Sequence, residues 1–364
     1  MRPSRSGDLI TRAGKSALRS HQPNGLEVAL TPSARKLPDG RQTLPCRITE
    51  GLPGILPQSG ESDKDGVPWF HLQTKSLERM MISLPMQVDQ TLVPLPEEVV
   101  DHYLTILGVA RREPSREALR ELLAAHLTRI PFENISKLYY RKRLGLVNLA
   151  PIQLYLDGID KYHFGGTCYS NNYHFYLLLR SLGYEAKLCA ADMKTPQVHA
   201  LNMITVEGRE YMADTGYAAP LLEPIPRDLA ADYEITLGRD RYVLKPQDAN
   251  GCSRLELYRD GVLCHGYLAK PTPRKIEDFG KVIGASFSAS ATFLNSVLLV
   301  RFYPGRSVLI HNLALVESEG NKSALLALAD RGELITAIEQ RFGMPREIVS
   351  DAVDQLGNLQ DAWS

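Results

Sequence analysis

The stretch FGGTCYSNNYHFYLLLRSLGY, residues 164–184, decides the fold. Its spacing predicts a helix that opens at Cys168: Tyr169, Tyr173, Tyr176 and Leu177 share one face, and Gly183 supplies the stop. Backbone N–H groups at a helix N-terminus have no partner within the helix and stabilise an anion, so a cysteine there is a candidate thiolate nucleophile. Gly165 and Gly166 just before it allow a close backbone approach that any Cβ would block. A free cysteine is otherwise most often a small core residue. That is how Cys189, inside the apolar run AKLCAAD, and Cys252 and Cys264 are read.

Upstream of the stretch, LPEEVVDHYLTILGV and PSREALRELLAAHLTRIPFENIS read as helices, the second capped by Ser115 and ended by Pro131. Downstream the period changes to that of strands. YEAKLCAADM and HALNMITVEGREYMADTGY are followed by short β-rich runs out to about residue 315, and SALLALADRGELITAIEQRFGMPREIVSDAVDQLG returns to helix. Helices, then strands, then helices, without β-α-β alternation, predict an α+β fold with a small antiparallel barrel or sandwich. The expected divisions are 1–90, a largely disordered extension rich in Pro, Gly and Ser; 91–190, helical, carrying Cys168; 191–315, the β-barrel; and 316–364, a helical lid region.

Composition narrows the function. The 364 residues carry 42 basic and 42 acidic side chains, which gives no footprint for nucleic acid or an anionic membrane and points to small-molecule partners. No apolar run is long enough for a membrane span. Five cysteines without a C-x-x-C pair suit a reducing, cytoplasmic setting, with neither a disulfide framework nor a zinc site. His163, His174 and Asp160 surround Cys168 in sequence, but their spacing fits no metal-ligand pattern, so no metal is expected. His126 interrupts an apolar stripe and reads as a satisfied core or edge histidine, and His102, His265 and His311 have no identifiable partner.

The base comes from the hairpin. A two-residue turn at Glu207-Gly208 pairs Val206 with Arg209, and counting outward sets Leu201 opposite Asp214. Side chains alternate faces, so His199 and Asp214 fall diagonally on the same face. An imidazole oriented by a carboxylate is what a cysteine nucleophile requires: the ring takes the thiol proton, and the carboxylate fixes the tautomer. A three-residue turn would place the two side chains on opposite faces.

Together these segments resemble the arylamine N-acetyltransferase family. The matching blocks are Pro131 to Asn134 (PFEN), the Gly165-Gly166-x-Cys168 segment with Asn172, His199 on a strand, and Asp214-x-Gly216-Tyr217, in the family's order. The resemblance implies an N-terminal helical bundle, a central antiparallel β-barrel and a C-terminal α/β lid. It implies a cysteine-protease-like core in which Cys168 is nucleophile, His199 base and Asp214 orienting carboxylate. The implied reaction is ping-pong: acetyl-coenzyme A, or another acyl-CoA, acylates the cysteine, and the nitrogen of an arylamine, arylhydroxylamine or hydrazine then takes the acyl group. Phe132, Val198 and Tyr217 adjoin the blocks and could line an apolar substrate cleft or simply pack in the core. A thiol hydrolase or transglutaminase-like enzyme, and an inactive binding homologue, are the alternatives.

Four departures stand out. Phe164 replaces the family's arginine before Gly-Gly, so Glu133 needs another cation, such as Lys161 or Arg180, or access to water. Ser170 replaces a glutamate after the cysteine. Thr195 and Pro196 occupy a loop that often carries glycine. Thr215-Gly216-Tyr217-Ala218 follows Asp214 where the family has V-G-F-G. They predict a divergent subgroup with an altered acyl donor or acceptor.

Overall fold

A computed structural model describes residues 94–359; the expected disordered extension, 1–90, lies outside them. The helical part comprises α1 (Glu97–Leu107), α2 (Arg116–Arg129), α3 (Ile135–Leu144), α4 (Ile152–Tyr162) and α5 (Cys168–Ser181). Ser115 caps α2 as predicted, its hydroxyl accepting from the Ala118 amide at 3.1 Å. Helices α3 and α4 were not legible as helices in the sequence. Their apolar positions are shared among several neighbours, with Ile135 and Leu138 packing in one core and Tyr155, Leu156 and Ile159 in another.

Helix α5 corrects the expectation of an amphipathic helix. Leu178 and Phe175 bury into the helical core, while Tyr169, Tyr173 and Leu177 bury toward the sheet. Asn171, Asn172 and His174 are buried as well. It is a central helix covered on nearly every side, so its polar side chains have to find partners inside the protein.

Eight antiparallel strands form the main sheet, in the order β5-β4-β3-β2-β9-β8-β7-β6. They are β2 (Glu185–Asp192), β3 (His199–Val206), β4 (Arg209–Ala213), β5 (Ile225–Pro226), β6 (Tyr233–Leu237), β7 (Asp240–Leu244), β8 (Ser253–Arg259) and β9 (Val262–Pro273). The sheet curls around Leu201, Met203, Tyr242, Leu255 and Tyr267, and is the barrel element expected from the alternating sequence. The hairpin register is the predicted one, Val206 opposite Arg209 and Asn202 opposite Ala213. Glu207 and Gly208 both take positive φ, 53° and 74°, as a two-residue turn of this type demands.

The expected boundaries at 190 and 315 both fall inside strands, β2 and β12. The runs SVLLVRFY and SVLIHNLALVE, assigned to the barrel, contribute to a second sheet, β1-β10-β11-β12-β13, made of β1 (Phe132–Glu133), β10 (Leu298–Tyr303), β11 (Arg306–His311), β12 (Ala314–Glu319) and β13 (Lys322–Ala327). Alternation alone does not say which strands pair, and here consecutive hairpins switch sheets at the short helix α6 (Gly280–Ala285). Helices α7 (Arg331–Phe342) and α8 (Arg346–Val353) complete the layer, packing Leu334, Ile338 and Val353 with Leu299 and Ile310. Among the described residues no helix is long and apolar enough to cross a membrane.

Candidate active site

The Gly-Gly segment is laid beside β1. Gly166 carbonyl accepts from the Glu133 amide at 3.1 Å, and the Gly165 amide donates to Glu133 Oε1 at 3.0 Å. A Cβ on Gly165 would stand 2.0 Å from the Pro131 carbonyl oxygen, which is why only glycine fits. Neither glycine has a positive φ, so the requirement is close approach and not a left-handed turn. This anchoring aims the start of α5. Thr167 precedes the helix in extended conformation without its side chain capping it, and Cys168 is the first helical residue.

His199 is the first residue of β3, and Asp214 follows the last residue of β4. Their side chains are buried and joined, His199 Nε2 to Asp214 Oδ2, at 2.7 Å. Same-face placement was therefore correct. Asp214 Oδ1 accepts from Asn172 Nδ2 at 2.8 Å and from the Gly216 amide at 2.9 Å. Burial pushes the Asp214 carboxyl upward, but the neighbouring His199 charge and these donors outweigh it and hold the carboxyl below the usual range. Burial likewise pulls His199 down, and the Asp214 carboxylate, helped by Cys168, overrides it and raises the imidazole. With Nε2 committed to Asp214, His199 Nδ1 is buried without a hydrogen-bond partner. Cys168 Sγ lies 3.8 Å from the Val198 carbonyl oxygen, one residue from His199, and the residue as a whole is 9% exposed.

Asn172 is the residue whose work the sequence reading passed over. One turn beyond Cys168, its Nδ2 also donates to the Ala200 carbonyl at 2.6 Å, and its Oδ1 accepts from the Thr215 amide at 2.9 Å. It fastens the helix that bears the thiol to both strands that bear the histidine and aspartate. An asparagine four positions after a helix-start cysteine was the available signal.

Of the three candidate lining residues, Tyr217 sets its ring edge against His199 at 5.8 Å and shares a 2.8 Å hydrogen bond with His265 Nδ1. His265 thus has the partner the sequence did not reveal. Phe132 is nearly buried and packs edge-on against Phe293, and Val198 is half-buried beside the thiol. Cys189 is a core residue, whereas Cys252 and Cys264 are half-buried and correct the expectation for those two. Cys264 lies on β9, and Cys252 immediately precedes β8.

The replacement of the arginine is resolved differently from either expectation. Phe164 sits among the rings of Tyr139, Tyr140 and Tyr162, all within 5.8 Å. Glu133 stays wholly buried and accepts from the amides of Gly165 and, at 2.9 Å, Ser136, at the start of α3. Burial raises its carboxyl despite these donors, and the two backbone amides stand where the missing cation would have been. Lys161 is instead paired with Asp157, and Arg180 is exposed.

Gly216 is a second tight joint in the site. A Cβ there would stand 2.5 Å from Cys168 Cα, 2.7 Å from its carbonyl oxygen and 2.5 Å from Asn172 Nδ2. Backbone atoms cannot swing aside, so Gly216→Ala must move the Asp214 loop away from the cysteine. A displacement on the order of 1 Å costs roughly 100-fold in rate. The expected result is a fall of about that size in kcat/KM for acyl transfer, measured on a variant whose circular dichroism matches the parent.

The chain matches the family model described as N-acetyltransferase over residues 115–349. It is 29% identical over 117 residues to proansamycin X synthase of Amycolatopsis mediterranei, covering 30% of this chain and 44% of that protein. It is 27% identical over 165 residues to the arylamine N-acetyltransferase of Mycolicibacterium smegmatis, covering 40% and 58%. The chain thus spans about half the length of these curated relatives. The structure of Mycobacterium marinum arylamine N-acetyltransferase in complex with CoA superposes with a TM-score of 0.59 at 20% identity, over 70% of this chain and 98% of that one. The family match runs from the cap of α2 through the PFEN strand, the Cys168 helix and the His199–Asp214 hairpin to α8, and on it the chain belongs to the arylamine N-acetyltransferase family.

Proposed function

We propose that this protein transfers an acetyl or related acyl group from acyl-coenzyme A to the nitrogen of an arylamine, arylhydroxylamine or hydrazine, through a thioester on Cys168. The observation that carries this reading is the buried His199, bonded to Asp214 through Nε2 at 2.7 Å and holding an unpartnered Nδ1 beside the helix-start cysteine. Nδ1 takes the thiol proton, and the Asp214 carboxylate stabilises the resulting imidazolium. The Cys168 sulfur, supported by the free amides of the first turn of α5, attacks the acyl-CoA carbonyl. Coenzyme A leaves as its thiol, taking the proton back from His199. The amine nitrogen then attacks the Cys168 thioester, its proton passes to His199, and the cysteine is released as sulfur anion and reprotonated. The CoA-bound relative of the same fold supports the donor, and the family supports the acceptor.

Intact-protein mass spectrometry tests the reading directly. Incubation with acetyl-CoA and no amine is expected to add one acetyl group, mapped to the Cys168 peptide, with one equivalent of free coenzyme A. Addition of aniline is expected to discharge it as acetanilide. A chain that remains unmodified by acetyl-, propionyl- and malonyl-CoA alike, or whose acyl group is not discharged by any aromatic amine or hydrazine, excludes the proposal.

A further inference from the structure

Tyr169, the residue after the nucleophile, has no role in the chemistry above. Its ring is buried and lies 5.4 Å from that of Phe279, and its hydroxyl donates to the Gln197 carbonyl at 2.5 Å. Gln197 has φ 57°, a left-handed conformation in which Cβ crowds the following carbonyl oxygen. The four other side-chain-bearing residues with positive φ among the described residues sit where the chain turns: His163 ends a helix, and Glu207, Asp260 and Asn312 open two-residue hairpin turns. Gln197 does neither. It lies in the six-residue loop 193–198, MKTPQV, which has no glycine to take the conformation without strain. Strain of this kind persists only where the surroundings hold it, and both sides of Gln197 are held. Its amide donates to Asp192 Oδ1 at 2.9 Å, Asp192 also pairs with Lys270, and its carbonyl is the one that Tyr169 bonds. The next carbonyl, that of Val198, faces the Cys168 sulfur at 3.8 Å, and His199 follows. Neighbouring side chains at the start of α5 thus touch consecutive carbonyls of the segment that leads into His199.

We propose that Tyr169 is a positioning residue for acyl transfer: its hydroxyl holds Gln197 in the left-handed conformation and so keeps the Val198 carbonyl and the His199 ring in register with the Cys168 thiol. The inference rests on the acyl-transfer reading of Cys168 and adds a residue to it. Without the hydroxyl, Gln197 is free to relax toward negative φ. A large change of φ two residues before His199 re-aims the Val198 carbonyl and carries the start of β3 with it. The hydroxyl therefore acts on the base through the backbone, and the aromatic ring by itself does not suffice. Glycine at position 197 takes the same φ without strain and with nothing to hold it there. The two positions are coupled as a result, and the need for the Tyr169 hydroxyl disappears when residue 197 is glycine.

The test is a double-mutant cycle in the full chain, on Tyr169→Phe, Gln197→Gly and the two together. Tyr169→Phe keeps the ring beside Phe279 and removes one oxygen, and a circular dichroism spectrum matching the parent's establishes that it folds. Single-turnover acetylation of Cys168 by acetyl-CoA is expected to slow by tenfold or more in Tyr169→Phe, where a misplacement of about 1 Å costs roughly 100-fold. On the Gln197→Gly background the same change is expected to cost less than about threefold. The midpoint pH of Cys168 alkylation by iodoacetamide is expected to rise by about half a unit or more in Tyr169→Phe, because a displaced imidazole supports the thiolate less, and to stay in place on the glycine background. A tyrosine that merely packs would lower stability and leave that midpoint where it was. An acetylation loss below tenfold, an equal loss on the glycine background, or an unmoved midpoint overturns the proposal. Alkylation needs no acyl donor, so a parent that is not acetylated by acetyl-CoA counts against the acyl-transfer reading, while the alkylation cycle still decides the role of Tyr169.

Discussion

Asp214→Asn is expected to lower kcat/KM by about 10³- to 10⁴-fold, the scale on which the corresponding aspartate-to-asparagine change acts in a serine protease triad. The cause lies in how many donors converge on the carboxylate. Oδ1 accepts from Asn172 Nδ2 and the Gly216 amide, and Oδ2 accepts from His199 Nε2. An amide has one oxygen for these three donors. If it turns that oxygen to Asn172 and Gly216, its NH₂ faces His199 Nε2 and forces the imidazole to carry its proton on Nδ1. The ring nitrogen beside Cys168 is then a donor and cannot take the thiol proton. If the amide turns the other way, two buried donors lose their acceptor, at roughly 1–3 kcal/mol each.

Both orientations also remove the charge that holds His199 above its ordinary value, so the imidazole is expected to titrate lower in the variant. Single-turnover acetylation of Cys168, followed across pH, reads the two effects together. A loss below tenfold would show that Asp214 does not orient the base. The same count explains why Asn172 matters: it supplies a donor to Asp214 while accepting from Thr215, and so holds the carboxylate in register with the helix.

Cys168, His199 and Asp214 stood out in the sequence because each sits where local rules are strong. Cys168 follows a Gly-Gly pair at a helix start. His199 and Asp214 flank a two-residue hairpin turn whose register follows from Glu207-Gly208, and the observed pairing of Val206 with Arg209 is the counted one. Local patterning did not reveal long-range pairing. Strand β10 pairs with Phe132 and Glu133 of the PFEN block, more than 160 residues away, and no alternation pattern encodes that choice. Asn134 secures it, its Nδ2 donating to the Ser296 carbonyl at 2.6 Å and its Oδ1 accepting from the Leu298 amide at 2.8 Å. The fate of Glu133 was equally hidden. A missing arginine suggests a substitute cation, whereas the backbone amides of Gly165 and Ser136 had already satisfied the carboxyl.

Acid is expected to unfold this protein through two buried histidines, one on α2 and one on α5. His126 of α2 has neither ring nitrogen bonded, and it packs against the rings of Phe175 and Tyr103 at 5.2 and 6.3 Å. It is a core histidine, but not the satisfied one the sequence suggested. His174 of α5 bonds only the Ala150 carbonyl, through Nε2 at 3.1 Å, and lies 4.3 Å from the Tyr155 ring. Burial lowers both to about 3, with the His174 charge adding to the effect on His126 and the Ala150 bond opposing it on His174. The folded state therefore binds fewer protons than the unfolded state between pH 6.5 and about 3. Stability is full above the unfolded value of 6.5 and is lost as pH falls below it. At pH 5 the loss is about 2 kcal/mol for each histidine, at 1.36 kcal/mol per unit. Two such losses, about 4 kcal/mol, are comparable to the 5–15 kcal/mol that holds a typical domain together. Urea midpoints measured at pH 7.5 and pH 5 on the parent and on His126→Leu check this. Leucine suits the α2 helix and leaves no buried nitrogen unpaired, so the variant is expected to match or exceed the parent at pH 7.5 and to lose about half as much stability at pH 5. Equal losses in the two proteins would mean that His126 does not titrate with unfolding. Because His174 is six residues beyond Cys168 on the same helix, the acid loss should also appear as inactivation that tracks unfolding and not as titration of His199.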